Sequence, residues 1–180
     1  AVLEIVEGII EIQASAGDSR LGGEDFTDAV AERVAARARE RHGADPRSDA
    51  IGWARLREGC EGAKKRLSDF ATTSIALPDL PVSRGRTVSL EEVLSRDEAE
   101  QAWTPLLERM TGPILRALRD ARTDPAIVDE ILLVGGATRM PCVVRLAAQI
   151  FGRLPERHLP PDEAVAMGAA VQAALKSRQR

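Results

Sequence analysis

The stretch 131–139 constrains the fold of this chain more than any other. Four apolar residues precede Gly135 and Gly136, and Pro141 follows after a short interval. Such a run predicts a strand buried on both faces, as in the centre of a parallel or mixed sheet. Glycine permits a sharp turn and a close ligand approach, and proline suits the first turn of a helix. The stretch therefore predicts strand, turn and helix N-terminus, an arrangement that favours a bound phosphate but also fits a simple tight connection.

Composition limits the function classes that remain open. A length of 180 residues suffices for one domain or two small subdomains with a hydrophobic core. The net charge of −3 gives no basic surface for nucleic acid, and no apolar run approaches the roughly 20 residues that cross a membrane. Cys60 and Cys142 are too few and too distant for a disulfide framework or metal site, which is typical of a reducing cytoplasm. His42 and His158 also lie apart, so no histidine-based metal site or triad is expected.

Helices are predicted where apolar residues recur every three or four positions. This spacing predicts helices over residues 24–42, 48–68, 97–121, 141–151 and 164–176. We expect the third to be interrupted or kinked near Pro105 and Gly112. Ser89 and Glu92 match a capping box, which predicts another short helix reaching about residue 96.

Strands are predicted where apolar and polar residues alternate or where short apolar runs end in turn residues. The first two, residues 1–6 and 9–15, form a hairpin about Glu7 and Gly8. Two more cover residues 72–77, ended by Pro78, and 86–88. One subdomain is then assembled from the two ends of the chain, and the middle forms the other. Because the chain opens inside a strand-like segment, we interpret it as part of a longer protein.

Five ordered motifs carry a resemblance to a known family. They are AGDSRLGGEDF at 16–26, CEGAK at 60–64, LRDA at 118–121, LVGGATRMP at 133–141 and PDEAVA at 161–166. Their order and spacing resemble the DnaK-type heat-shock chaperones of the heat shock protein 70 class. The segment 133–155 is most similar to the HscC-like branch of that family.

The resemblance implies an α/β fold, namely the second lobe of an actin-like (ribonuclease H-like) ATPase domain. Residues 1–22 and 104–180 would form a mixed sheet flanked by helices, and 23–103 a smaller inserted α+β subdomain. The lobe would supply the adenosine-binding face for ATP or ADP, while its parent protein couples ATP hydrolysis to peptide binding and protein folding. The family's phosphate loop, catalytic lysine and metal-holding segment lie outside this sequence. We therefore expect no catalytic residue, no metal ligand and no hydrolysis here, with Mg²⁺ bound only by the complete domain.

The resemblance assigns four residues of one predicted helix to the adenosine site. Glu61 and Lys64 would reach the ribose hydroxyls, Lys65 would lie beside the adenine and Ser68 would bond the base edge. Offsets of three, four and seven place these residues on one helix face. Glu61 with either lysine also fits an ordinary surface ion pair. Lys65 stands where the family commonly has a planar arginine, so stacking from that side should be weaker.

The other four implied site residues lie near the chain's end. Gly135 and Gly136 would approach the nucleotide backbone, Arg139 would cover the other side of the adenine and Asp162 would close the back of the pocket. A planar guanidinium suits stacking on a base. Asp162 also fits a helix-capping carboxylate. Ala137 stands where the family commonly has serine, which removes one hydroxyl near the nucleotide.

The resemblance also implies partners for the parent protein. These are a J-domain co-chaperone, client peptides bound by another domain, and a nucleotide exchange factor for which residues 23–103 offer a candidate surface. Two alternatives stay open. One is a nucleotide-independent scaffold or binding module, which Lys65 and Ala137 favour and measured ADP affinity would distinguish. The other is a lobe of a sugar-kinase relative with the same fold, against which the LGGEDF sequence at 21–26 argues.

Overall fold

The computed structural model describes residues 1–156 and 159–177, so His158 lies outside the described residues. The chain divides into two compact units, the first made of Ala1–Gly17 with Pro113–Arg180 and the second of Asp18–Gly112. The subdomain boundaries expected from the sequence, at residues 22–23 and 103–104, stay a prediction.

Four strands and five α-helices, with short 3₁₀ helices between some of them, make up the regular structure of the described residues. In chain order they are β1 (Val2–Val6), β2 (Ile9–Ala14), α1 (Gly23–His42), α2 (Ala50–Arg66), β3 (Thr72–Pro81), β4 (Thr87–Ser95), α3 (Arg96–Asp120), α4 (Pro141–Phe151) and α5 (Ala164–Ser177). β1 pairs with β2 and β3 with β4, each pair forming a two-stranded antiparallel sheet. The α/β class expected from the sequence is therefore confirmed.

The most periodic segments form helices as predicted. α1 buries Phe26, Val30 and Val34 on one face. It is capped by Gly43, whose φ of 61° is the left-handed conformation that glycine adopts without strain. Pro141 is the first residue of α4, where its missing N–H costs no hydrogen bond. In these two segments the local sequence signals and the packing of apolar side chains both favour a helix.

The capping-box prediction at 89–92 is wrong, because Ser89 lies inside β4 and no helix begins there. Leu90, Glu92 and Leu94 alternate as buried residues, which is the two-residue period of a strand. β3 supplies the hydrogen-bonding partner, with Leu77 opposite Leu90. The buried carboxylate of Glu92 is paired with Arg41, whose Nη1 atom lies 2.6 Å from its Oε1. A serine and a glutamate three residues apart thus fit both a helix start and this strand.

β3 does not end at Pro78 but continues to Pro81. The pairing shifts between Leu77 and Leu80, and Asp79 between them has a φ of 48°. The Arg55 guanidinium donates hydrogen bonds to the backbone oxygens of Pro78 and Asp79, both at 2.8 Å. Proline removed one ladder hydrogen bond here without ending the strand, because the irregular backbone is bound from α2.

The strand predicted for 131–134 is also wrong for the described residues. Only an isolated parallel bridge joins Leu132 to Glu156, with the Glu156 N–H donating to Ile131 O at 3.0 Å. Ile131 is buried, but Leu132 is 55% exposed and Val134 46%. An apolar run becomes a buried strand only where neighbouring strands supply hydrogen bonds and cover, and one bridge does not.

α3 continues without interruption through Pro105 and Gly112, so the predicted interruption is wrong, whereas the predicted kink stays a prediction. Tertiary packing anchors the helix near the first of these positions. The indole of Trp103 is buried and its Nε1 donates to Phe26 O at 2.8 Å, while the two rings meet edge to face at 6.0 Å. This contact joins α3 to α1 in the core of the second unit.

Close backbone approach makes Gly52 the most demanding glycine of the second unit. A Cβ atom built there would lie 2.0 Å from Pro81 O, so α2 meets the end of β3 without room for a side chain. Gly112 in α3 provides the contrast, because a Cβ there would have nothing within 4 Å.

We expect Gly52→Ala to lower the free energy of unfolding by at least about 2 kcal/mol, since the added methyl overlaps a backbone oxygen. Gly112→Ala should instead raise it by about 0.5–1 kcal/mol through better helix propensity. Urea unfolding followed by tryptophan fluorescence measures both, because Trp53 and Trp103 lie in the second unit. Equal effects of the two substitutions would contradict the close contact.

Candidate functional site

Lys64 forms a buried junction between α2 and α1. Its Nζ donates to Gly23 O at 2.8 Å and to Thr27 Oγ1 at 2.9 Å, and it lies 2.5 Å from Glu61 Oε2. The Lys64 side chain is only 7% exposed. Since an ammonium group has three N–H donors, these three oxygens account for its full hydrogen-bonding capacity.

Glu61 is the carboxylate that balances this buried ammonium. Its Oε2 also accepts from the Thr27 hydroxyl at 2.5 Å, while its Oε1 lies 3.3 Å from Nζ of Lys65. Burial raises the pKa of Glu61, but hydrogen bonds from Lys64 and Thr27 and the Lys64 charge outweigh it, and the pKa falls to about 2. Glu61 is therefore an anion across the physiological pH range, ready to accept hydrogen bonds.

Ser68 differs from the three charged residues in its position. α2 ends at Arg66, and Ser68 follows in a turn where its N–H donates to Lys65 O at 3.1 Å. Its own carbonyl accepts from Arg96 Nη2 at 3.4 Å. The structure thus brings Glu61, Lys64 and Lys65 together and places Ser68 beyond the helix face that the sequence predicted for it.

In the first unit, Gly135 begins the predicted glycine turn. Its φ of 97° and ψ of 150° strongly favour glycine, and its N–H donates to Pro161 O at 2.8 Å. Thr138 closes the turn, because its Oγ1 donates to Gly135 O at 2.7 Å. A 3₁₀ helix, Gly136–Arg139, then leads into α4, so the turn and helix N-terminus are present although the strand before them is not.

Arg139 and Asp162 meet at this turn. Asp162 Oδ2 accepts from Arg139 Nε at 3.0 Å and from Nη2 at 2.7 Å. A Cβ on Gly136 would lie 3.1 Å from Asp162 Oδ1, so the carboxylate is packed against the glycine backbone. Two hydrogen bonds to one oxygen restrict the guanidinium, whose side chain is 54% exposed. The structure brings these three predicted residues together.

Sequence analysis missed Thr27, Gly23 and Pro161 as members of these clusters. Thr27 is 34 residues from Glu61 in the chain, so no helical spacing links the two. Gly23 and Pro161 act through backbone carbonyls, which any residue type supplies. Only the LGGEDF motif, which Thr27 follows directly, drew attention to this part of α1.

Two negative findings apply to residues 1–156 and 159–177. No group of three or more His, Cys, Asp or Glu side chains is arranged to hold a metal ion. None of the helices there combines the length and apolar character needed to span a membrane.

Comparison with known proteins gives one consistent result. The family model described as "Hsp70 protein" matches residues 1–180. "Chaperone protein DnaK" of Thermus thermophilus is 43% identical over 177 residues, which are 97% of this chain and 29% of that protein. The DnaK of Thermotoga petrophila is 43% identical over 97% of the chain and 30% of its own length, and "Chaperone protein DnaK 1" of Synechococcus 43% over 97% and 23%. The chain thus spans less than a third of these relatives.

The lowered pKa of Glu61 predicts how stability depends on pH. A carboxylate whose pKa falls from 4.5 to about 2 on folding stabilises the protein above pH 4.5, and this contribution disappears as pH falls toward 2. We expect Glu61→Gln to lower the free energy of unfolding by on the order of 2 kcal/mol near neutral pH, because it leaves Lys64 without its counter-charge. The difference in free energy of unfolding between the wild type and Glu61→Gln should become steadily smaller below about pH 4.5.

Urea unfolding with tryptophan fluorescence, repeated over this pH range, measures that difference. Glu58→Gln is the matched control, because Glu58 is an exposed residue of the same helix. A pH-independent difference between wild type and Glu61→Gln would contradict the proposed ion pair.

Proposed function

Since this chain belongs to the Hsp70 family and is a fragment of the nucleotide-binding domain of a DnaK-type chaperone, we propose that it supplies the adenosine-binding contacts for ATP and ADP. The proposed contacts are Glu61, Lys64, Lys65 and Ser68, which lie in the second unit, and Gly135, Gly136, Arg139 and Asp162, which lie in the first.

The fixed guanidinium of Arg139 carries the proposal. Asp162 binds it through two nitrogen atoms, while over half of the side chain stays accessible. A planar cation held in this way loses little entropy when a base stacks on it. Gly135 and Gly136 expose backbone beside it without a Cβ, which suits the close approach of a ligand.

The anionic Glu61 supports the ribose side of the proposal. Its low pKa keeps it charged, and a carboxylate accepts charge-assisted hydrogen bonds from hydroxyl groups. Lys65 is 73% exposed, and its Nζ lies 3.3 Å from Oε1 of Glu61. Lys65 lacks the planar group that would stack strongly on adenine, so we expect Arg139 to provide most of the stacking.

The activities of the longer protein are further proposals from family membership. We propose that hydrolysis of ATP and binding of Mg²⁺ require the complete domain, since phosphoryl transfer depends on positioned charges. We also propose a J-domain co-chaperone, client peptides and a nucleotide exchange factor as partners, the last on residues 23–103. A cytoplasmic location and the HscC-like branch complete the proposal, as do the subdomains 1–22 with 104–180 and 23–103.

A nucleotide-independent binding module is the second candidate. The observation that favours it is the internal use of all three Lys64 donors, because a lysine engaged in this way serves packing rather than a ligand. Family membership leaves no reason to retain the sugar-kinase alternative.

Calorimetric titration of the 180-residue chain with ADP tests the proposal. We expect Arg139→Ala to weaken binding by about three- to thirtyfold through lost stacking. Glu61→Gln should weaken it by about tenfold or more through lost charge-assisted hydrogen bonds.

Arg116→Ala and Glu58→Gln serve as matched controls, because both residues are exposed and each lies in the same unit as its counterpart. Both controls should bind ADP like the wild type. A wild-type chain that binds no ADP, or equal losses in the controls, would favour the binding module instead.

A further inference from the structure

We propose that Thr27 is a positioning residue for the ribose-binding carboxylate. Together with Lys64 it holds Oε2 of Glu61, so that Oε1 is left to accept hydrogen bonds from the ribose hydroxyls. This inference rests on the proposed function, because it describes how one half of that adenosine site is arranged.

Lys64 helps to position the Glu61 carboxylate through its contacts within the protein. Oxygen atoms of Gly23, Thr27 and Glu61 lie within 2.9 Å of its Nζ. A ribose hydroxyl could accept from Lys64 only by displacing one of these oxygens. Displacement would leave a buried polar group unpaired, at a cost of about 1–3 kcal/mol.

The Thr27 hydroxyl completes the arrangement because it both accepts and donates. It accepts from Lys64 at 2.9 Å, which leaves its single proton for Glu61 Oε2 at 2.5 Å or for Gly23 O at 3.2 Å. The shorter distance favours Glu61. Thr27 is 2% exposed, so solvent has little access to the hydroxyl.

The two oxygens of Glu61 therefore have different roles. Oε2 is engaged by Thr27 and Lys64. Among the residues that the structure describes, Oε1 has only the longer 3.3 Å contact with Lys65, whose side chain is 73% exposed. A carboxylate oxygen accepts more than one hydrogen bond, so Oε1 is the atom with capacity for a ribose hydroxyl.

The test measures ribose discrimination, defined as the ratio of the ADP and 2′,3′-dideoxy-ADP affinities of the 180-residue chain. Wild type should bind ADP about tenfold or more tightly, since the analogue lacks both hydroxyls. Thr27→Val removes the hydroxyl and keeps the shape. We expect Thr27→Val to lower that ratio by about threefold or more, mainly because its affinity for ADP is lower.

Three further variants separate positioning from folding. Thr27→Ser keeps the hydroxyl and should restore the ratio. Thr27→Ala is expected to lower the ratio as Thr27→Val does. It takes the place of Thr27→Val if tryptophan fluorescence shows that Thr27→Val is unfolded. Thr111→Val is the matched control, because Thr111 Oγ1 also donates to a carbonyl four residues earlier, at 3.2 Å, and its ratio should be unchanged.

Each outcome decides the inference. A lowered ratio that Thr27→Ser restores supports it. An unchanged ratio, or equal weakening of both nucleotides, overturns the role of Thr27 and leaves the proposed function intact. A wild-type chain that binds neither nucleotide overturns the inference and the proposed function together.

Discussion

A buried lysine ammonium joins the first two helices of the second unit, and the candidate ribose site depends on it. The Nζ of Lys64 donates hydrogen bonds to oxygen atoms of Gly23 and Thr27 in α1 and forms an ion pair with Glu61 in its own helix. Burying a charge is costly unless it is paired and hydrogen-bonded. Full pairing at this junction therefore fixes the position of α2 against α1 and the orientation of the Glu61 carboxylate at once.

The first unit also contains an ion pair, but here the carboxylate holds the cation in place. There a carboxylate, Asp162, holds a guanidinium, Arg139, through two hydrogen bonds, and the glycine backbone at Gly136 gives the carboxylate room. Lys64 is buried, whereas Arg139 is largely accessible. The buried cation therefore positions an anion, whereas the accessible one is the group that we propose to stack on adenine.

The sequence predicts those parts of the structure that depend on residues close together in the chain, and it fails where distant residues decide. Helices α1, α2, α4 and α5 follow from apolar periodicity and end signals. The segment at Ser89 was mistaken for a helix because its spacing also fits a strand, and only pairing with β3 decides between them. Thr27 could not be found at all, because its partner Glu61 is 34 residues away and the contact exists only once α1 and α2 pack.

The central claim is that this chain binds the adenosine of ADP through the residues proposed above, and hydrogen exchange of the 180-residue chain with and without ADP tests it most directly. Backbone amides at the end of α2, near Glu61 and Lys65, and in the 3₁₀ helix Gly136–Arg139 are predicted to exchange more slowly when ADP is bound. Slower exchange in both segments supports the claim. Unchanged exchange in either segment at saturating ADP would contradict it.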